Sequence, residues 1–350
     1  MANNNFKPFA AAGGANVIAQ ADYEALAALL TGFVSGTAQS QQLNKVWRQS
    51  SIMAAVLAQF IVDLTGQDAI DDGTTATLLA NLKTAVQAQS AAAIGQARNL
   101  VMSVGPASAS ANATLTADEI VVGTALGGKK YALGPFSKTI NLATTGAGGM
   151  DTGSAPASGY VALYAIYNPT KAAQHAIDPI TYPDNGMALL ATNATSTVAP
   201  SVYGGANMPS GYTASALVSV WATTSGSLLA IGLQNDRAVS IFVQSALNSS
   251  TQQPTMTALN IAAIVPKNAR SISGILHIGS TAASSGAINV ASSSNAIGQQ
   301  NLGTYVSQTT VPIESPFSNL QIITPQTMYY TATTASGTMS AIIYISGYSF

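Results

Sequence analysis

The 350-residue chain contains no cysteine, which excludes disulfides, thiolate metal sites and cysteine nucleophiles and leaves stability to packing and hydrogen bonding. Charge is scarce as well. Only 7% of residues are charged, against about 25% in ordinary soluble domains. The net charge is -1, and without clustered Lys and Arg nothing would displace counterions from a phosphate backbone, so no nucleic-acid partner is expected. The chain has two histidines, His175 and His277, and no Gly-x-Ser-x-Gly elbow, which leaves nucleophilic hydrolysis without its usual parts. The longest apolar run, residues 52–64, is broken by Gln59 and Asp63 and falls short of the roughly 20 residues a spanning helix needs, so no membrane insertion is expected. Residues 1–8 lack a basic segment followed by an apolar stretch, so they do not read as a secretory signal.

Apolar residues nevertheless reach 47% and mean hydropathy is +0.28. High hydropathy with so little charge implies apolar surface buried between subunits, while Ser, Thr, Asn, Gln and Gly supply solubility elsewhere. The length exceeds the roughly 100–200 residues of one domain. The expected fold class is α + β multidomain.

Helical spacing dominates the first third. Residues 20–34 place Leu26, Leu29, Leu30 and Phe33 on one side, with Asp22 as a candidate cap. Residues 39–64 carry Leu43, Val46, Met53, Leu57, Phe60 and Leu64 at alternating three- and four-residue steps, with Ser50 the polar exception. That heptad-like stripe reads as the core of a helical bundle or short coiled coil. A third helical pattern runs from 75 to about 104 and carries Leu78, Leu79, Leu82, Val86, Ile94, Ala97 and Val101.

Beyond Gly105-Pro106 the period becomes two. Candidate strands are 119–122, 137–143, 160–168, 187–192, 214–222, 228–233 and 238–244, then 256–265, 271–278, 287–291, 320–323, 328–333 and 338–345. Polar, small-residue stretches divide the chain into a helical region 1–105, a linker 106–114, a first β domain 115–245, a linker 246–254 and a C-terminal β domain 255–350. Short strands at this spacing favour antiparallel sandwiches or jelly rolls. After Arg270 the only charged side chain is Glu314.

Two sets of segments carry a family resemblance. One is Asn3-Asn4-Asn5-Phe6-Lys7-Pro8-Phe9 with Gln49-Ser50-Ser51-Ile52-Met53 and the stretch from Gly66 to Thr74. The other is the stretch from Ser158 to Pro169 with the stretch from Tyr203 to Tyr212. Together they resemble the tail-fibre or receptor-binding proteins of tailed bacteriophages and prophages. The resemblance implies an elongated homotrimer, with the stripe Leu43, Val46, Met53, Leu57, Phe60 and Leu64 as trimer core, that is made in the bacterial host cytoplasm, joins baseplate proteins through its N-terminus, resides in the virion and binds a bacterial surface glycan or outer-membrane receptor through its C-terminal part. It implies no catalytic residues and no cofactor.

The rival readings are a polysaccharide depolymerase and a purely structural baseplate or collar component. A depolymerase needs paired carboxylates, and the acids of the β-rich part are Asp118, Glu119, Asp151, Asp178, Asp184, Asp236 and Glu314. Most sit beside Gly, Pro or Asn, where turn and capping roles are commoner. His277 lies in a strand pattern, and three copies would be needed to ring an ion; a satisfied histidine is the simpler reading. Sugar recognition by a neutral surface would use hydroxyl and amide groups with an aromatic platform. For that role the distal aromatics Tyr305, Phe317, Tyr329, Tyr330 and Tyr348 are the candidates, with Tyr344 and Phe350 beside them.

Overall fold

A computed structural model describes residues 2–33, 35–36, 39–88, 92–306 and 313–350; for residues 87, 88 and 304–306 it describes the backbone alone. The chain is mostly β, with three antiparallel sheets and few helices. It divides into two compact units: unit 1 is Met1–Ala91 with Gly128–Lys130, and unit 2 is Ala92–Gly127 with Tyr131–Phe350.

Unit 1 holds four helices, α1 (Gln20–Glu24), α2 (Ala28–Thr31), α3 (Ser40–Thr65) and α4 (Ala76–Ala88). The helix expected over 20–34 is instead the two short helices α1 and α2; Val34 lies outside the described residues. Leu29 and Leu30 are 47% and 94% exposed. Without packing, a turn or two of helix has little to offset the cost of nucleation. Asp22 is not the cap: Ala19 occupies that position without a side-chain hydrogen bond.

α3 matches its stripe in length and ends where expected, on Gly66 in the left-handed region (φ 66°), whose N–H donates to Val62 O. The asparagine run at the start of the chain binds the loop after α3. Asn5 N donates to Ala69 O at 3.2 Å and Ala69 N to Asn3 O at 2.9 Å. Asn4 Nδ2 donates to Ala55 O and to Gln59 Oε1 on α3. Short amides here also satisfy backbone groups that turns would leave open, since Asn4 Oδ1 accepts from Phe6 N and Asn5 Oδ1 from Asp71 N.

The third helical pattern runs too far. α4 stops at Ala88, and Ala97–Arg98 and Val101–Val104 form strands. The helical reading took Val101 as an inward position, yet Val101 is 40% exposed while Leu100, Met102 and Val104 are buried. That is the two-residue alternation of a half-buried strand, and pairing within a sheet outweighs the helix propensity of the preceding Ala and Gln residues.

The strands of unit 2, in chain order, are β1 (Ala97–Arg98), β2 (Val101–Val104), β3 (Asn112–Ala117), β4 (Glu119–Gly123), β5 (Lys130–Leu133), β6 (Phe136–Asn141), β7 (Tyr160–Tyr167), β8 (Met187–Asn193), β9 (Ala214–Ala222), β10 (Gly232–Asn235), β11 (Ala238–Ser249), β12 (Gln253–Asn260), β13 (Ser271–Ser280), β14 (Ser284–Ala291), β15 (Gln300–Val306), β16 (Ile313–Gln321), β17 (Thr327–Thr334) and β18 (Met339–Ser349). One helix, α5 (Pro169–Ile177), interrupts the β7–β8 connection.

They form three sheets. The first runs β1-β4-β9-β7-β8, with β5 on β4. The second, of eight strands, runs β16-β13-β18-β11-β10-β2-β3-β6. The third runs β12-β17-β14-β15. The eight-stranded sheet joins early strands to the last ones, so 255–350 does not form a sheet system of its own. One buried cluster runs from Met102, Leu115 and Trp221 to Ile278, Ile288 and Ile343. The expected linkers contain strand as well. β3 begins inside 106–114, and β11 and β12 occupy most of 246–254. Their polar side chains misled the reading. Ser245 and Asn248 are exposed, yet their backbones pair with Tyr344 and Ile342, and ladder hydrogen bonding needs no apolar side chain.

β7 and β9 are buried along nearly their whole length. Their inner face carries Val161, Leu163, Val218 and Trp221. The opposite face carries Tyr160, Tyr164, Leu217 and Val220, and it packs with Ala199, Tyr203 and Tyr212 from the long β8–β9 connection. Burial on both faces explains why these strands read as continuous apolar runs.

Candidate functional site

The distal aromatics do not form one exposed platform. Phe317 and Tyr348 are 3% and 4% exposed, so neither offers a ring face to a ligand, and that expectation is corrected. Tyr348 donates its hydroxyl to Val220 O at 2.7 Å in the buried interior. Phe317 packs close over Gly274, where any side chain would strike Tyr344 O. Tyr329 and Tyr330 are half-buried on β17, opposite Ala258 and Thr257 of β12. The side chain of Tyr305 lies outside the described residues; its backbone pairs with Ser285. Tyr344 and Phe350 are half-buried as well.

Most of the carboxylates weighed for catalysis have structural partners. Asp178 Oδ1 accepts from the backbone N–H of Ile180 and Thr181, and the side chain of Thr181, together with those backbone bonds, holds its carboxyl below the usual range. Asp184 pairs with Lys171 at 2.7 Å and accepts from Gly186 N. His175 Nδ1 lies 2.7 Å from Tyr182 O. His277 pairs across strands with Glu314 at 3.0 Å. Among the described residues no group of three or more His, Cys, Asp or Glu is placed to hold a metal.

Two surfaces stand out. The first is the apolar face of unit 1. Of the stripe Leu43, Val46, Met53, Leu57, Phe60 and Leu64, Met53 and Leu57 are 67% and 47% exposed and the others are partly buried, while Ala58 and Ile61 face inward. Trp47 and Val56, absent from the stripe, are more than half exposed. Between α3 and α4 lies an apolar groove of about 300 Å³ lined by Phe6, Leu57, Ile61, Leu78 and Leu82.

The second surface is a neutral recess of about 290 Å³ in unit 2, lined by Tyr164, Thr192, Asn193, Thr197, Tyr203 and Gly204 among others. Sequence reasoning passed over it because its residues come from β7, the end of β8 and the β8–β9 connection. The two tyrosines meet edge to face with centroids 5.5 Å apart. Tyr164 donates to Pro200 O at 2.9 Å and Tyr203 to Asp151 Oδ2 at 2.8 Å. Burial, helped by that carboxylate, pushes the Tyr203 hydroxyl up to about 12. It therefore stays protonated and donating at neutral pH.

Comparison with known proteins adds little. No family model matches the chain, and no curated protein matches it. Among solved structures, a Cry1Da tryptic core variant from Bacillus thuringiensis shows 9% identity and a TM-score of 0.17, covering 76% of this chain and 54% of that one. The mosquito-larvicidal Cry4Aa toxin from the same organism shows 10% identity and a TM-score of 0.15, covering 75% of this chain and 54% of that one. This chain thus spans about half of each toxin chain, and at such scores the likeness carries no argument. Among the described residues no helix is long and apolar enough to cross a membrane.

Proposed function

We propose that the chain is a non-enzymatic fibre protein of a tailed phage, carried in the virion. Unit 1 joins baseplate proteins and assembles with two further copies, and unit 2 binds a glycan on the bacterial surface. The observation that carries the assembly is the face of α3. Met53 and Leu57, one turn apart on the same side of the helix, are 67% and 47% exposed in the single chain, and burying such a side chain fully contributes about 1.5–3 kcal/mol. Copies of the same helix, packed through the Met53 and Leu57 positions of the stripe, would cover that surface in a coiled-coil arrangement. The resemblance of the N-terminal and central segments to tail fibres supports the same reading. So does the neutral outer surface, whose hydroxyl and amide groups suit a sugar ligand. The structural partners of Asp178 and Asp184 leave the depolymerase alternative without a favouring observation.

Mass measurement of the purified chain at micromolar concentration is expected to give three times its 35.4 kDa; a clean monomer would overturn the assembly. Binding of the same material to a panel of bacterial strains tests the receptor role. Failure to adsorb to any strain would favour the structural baseplate or collar reading. Removing 255–350 is a poor test, because it takes β13, β16 and β18 out of the eight-stranded sheet.

A further inference from the structure

We infer that the recess bounded by Tyr164, Thr192, Asn193, Thr197, Tyr203 and Gly204 is a binding site for one neutral sugar residue. The inference rests on the glycan-binding reading above and moves the contact from the distal aromatics to the connection between β8 and β9.

The chemistry of the lining is the first reason. No charged side chain lines the recess, so an acidic sugar would find no cation there. What it exposes is hydroxyl, amide and backbone, the groups that recognise the hydroxyls of a neutral polyol, while Tyr164 and Tyr203 lie buried behind it at 1% and 8% exposure and form its floor. Unspent hydrogen-bonding capacity is the second reason. Asn193 Oδ1 accepts from Thr195 N at 3.0 Å. Among the described residues, however, no hydrogen bond is made by Asn193 Nδ2, the hydroxyls of Thr192 and Thr197, or the N–H groups of Gly204 and Gly205. Donors and acceptors thus coexist in one recess, and each hydroxyl of a sugar needs both.

Rigidity is the third reason. The wall from Ala194 to Tyr203 is fastened along its length. Ala194 N donates to Tyr160 O, Leu217 N donates to Ser201 O, and Tyr203 N donates to Ser215 Oγ. Asn268 both accepts from Ala199 N and donates to Ala199 O, each at 2.9 Å, and Lys267 Nζ donates to Ser196 O at 2.8 Å. A wall fixed before binding loses little conformational freedom on binding. The volume, about 290 Å³, sits at the lower end of the roughly 300–1,000 Å³ typical of small-molecule sites. That limits occupancy to about one residue, with the rest of a chain continuing into solvent.

Gly204 makes the idea testable. A Cβ there would meet nothing within 4 Å, whereas at Gly205 it would strike the Tyr203 hydroxyl. Gly204→Gln therefore adds a long side chain on the lining of the recess without a clash at Cβ, and Thr192→Val removes one hydroxyl at constant shape. Saturation-transfer NMR on the intact assembly is the readout. The probes are glucose, galactose, mannose, N-acetylglucosamine and N-acetylgalactosamine, with N-acetylneuraminic acid as the acidic control.

At least one neutral sugar is expected to bind, with an affinity of about 1 mM given so few contact atoms. Gly204→Gln should lower it at least tenfold and Thr192→Val about fivefold. Silence from every neutral sugar, preference for the acidic control, or unchanged binding by Gly204→Gln would overturn the inference. Adsorption to cells separates the two levels. If wild type and Gly204→Gln adsorb equally, the recess is not the contact although the receptor reading stands. If neither adsorbs to any strain, the receptor reading itself falls.

Discussion

The two units solve the same compositional problem in opposite ways. Both are apolar and poor in charge, but unit 2 buries both faces of β7 and β9 within one chain, whereas unit 1 leaves the middle of α3 exposed. A sheet sandwich closes by adding strands from distant parts of the sequence, and here the eight-stranded sheet draws on residues from 101 to 349. The other helices of unit 1 are short and leave much of the 26-residue α3 uncovered, and in the proposed assembly copies of the chain would cover the remainder. Apolar substitutions should therefore act on folding in unit 2 and on association in unit 1.

Trp221→Ala should have the largest effect. The side chain is 2% exposed and its Nε1 donates to Ala230 O at 2.8 Å. Truncation leaves a cavity and an unpaired carbonyl, for a loss of about 3–5 kcal/mol. Denaturant unfolding followed by far-ultraviolet dichroism reads the loss; a change under about 1 kcal/mol would mean that the core of unit 2 relaxes far more than a packed interior should.

Next comes the pair Val56→Ser with Leu57→Ser. Both side chains are about half exposed in the single chain, so the fold of unit 1 should survive. The association constant should fall by about tenfold or more for each side chain buried between copies, at about 1.4 kcal/mol per tenfold. Sedimentation equilibrium reads the shift. Unchanged association would show that the exposed face of α3 meets something other than its own copies and would break the contrast between the units.

How much of this was legible depends on which physical cue dominated. Strands β7, β9, β13 and β17 carry apolar runs or alternation bounded by turn residues, and the sequence locates them nearly to the residue. Helix α3 was legible for the same reason, through its stripe and the glycine after it. The failures share a cause. β2, β3 and the end of β11 are paired by backbone bonds that leave no mark on composition, so Gln- and Ser-rich stretches read as helix or linker. α5 was missed because Asn168-Pro169 reads as a strand end. In the structure Asn168 Oδ1 caps the helix by accepting from Lys171 N, with Pro169 in the first turn. The neutral recess was beyond reach, since its residues converge only through tertiary packing. Buried aromatics such as Phe317 and Tyr348 cannot be told from exposed ones by residue type alone.

The smallest effect concerns the insertion that α5 begins, where charge, not burial, sets the shape. Burial disfavours ionised Asp184, but the hydrogen bonds from Lys171 and Gly186 and the charge of Lys171 outweigh it, and the carboxyl titrates below its ordinary 3.8. A depressed carboxyl pKa adds stability above the unfolded value, and that stability is lost as pH falls through the folded value. The insertion should therefore loosen below about pH 4 and be indifferent to pH from 5 to 8. Both partners are more than 40% exposed, so the pair contributes at most about 1 kcal/mol. Amide exchange across residues 169–186, compared between wild type and Asp184→Asn, reads this directly. The variant should exchange faster at neutral pH and lose the acid dependence. If both proteins respond to acid alike, Asp178, whose carboxyl is also depressed by bonds to its own loop, holds the insertion instead.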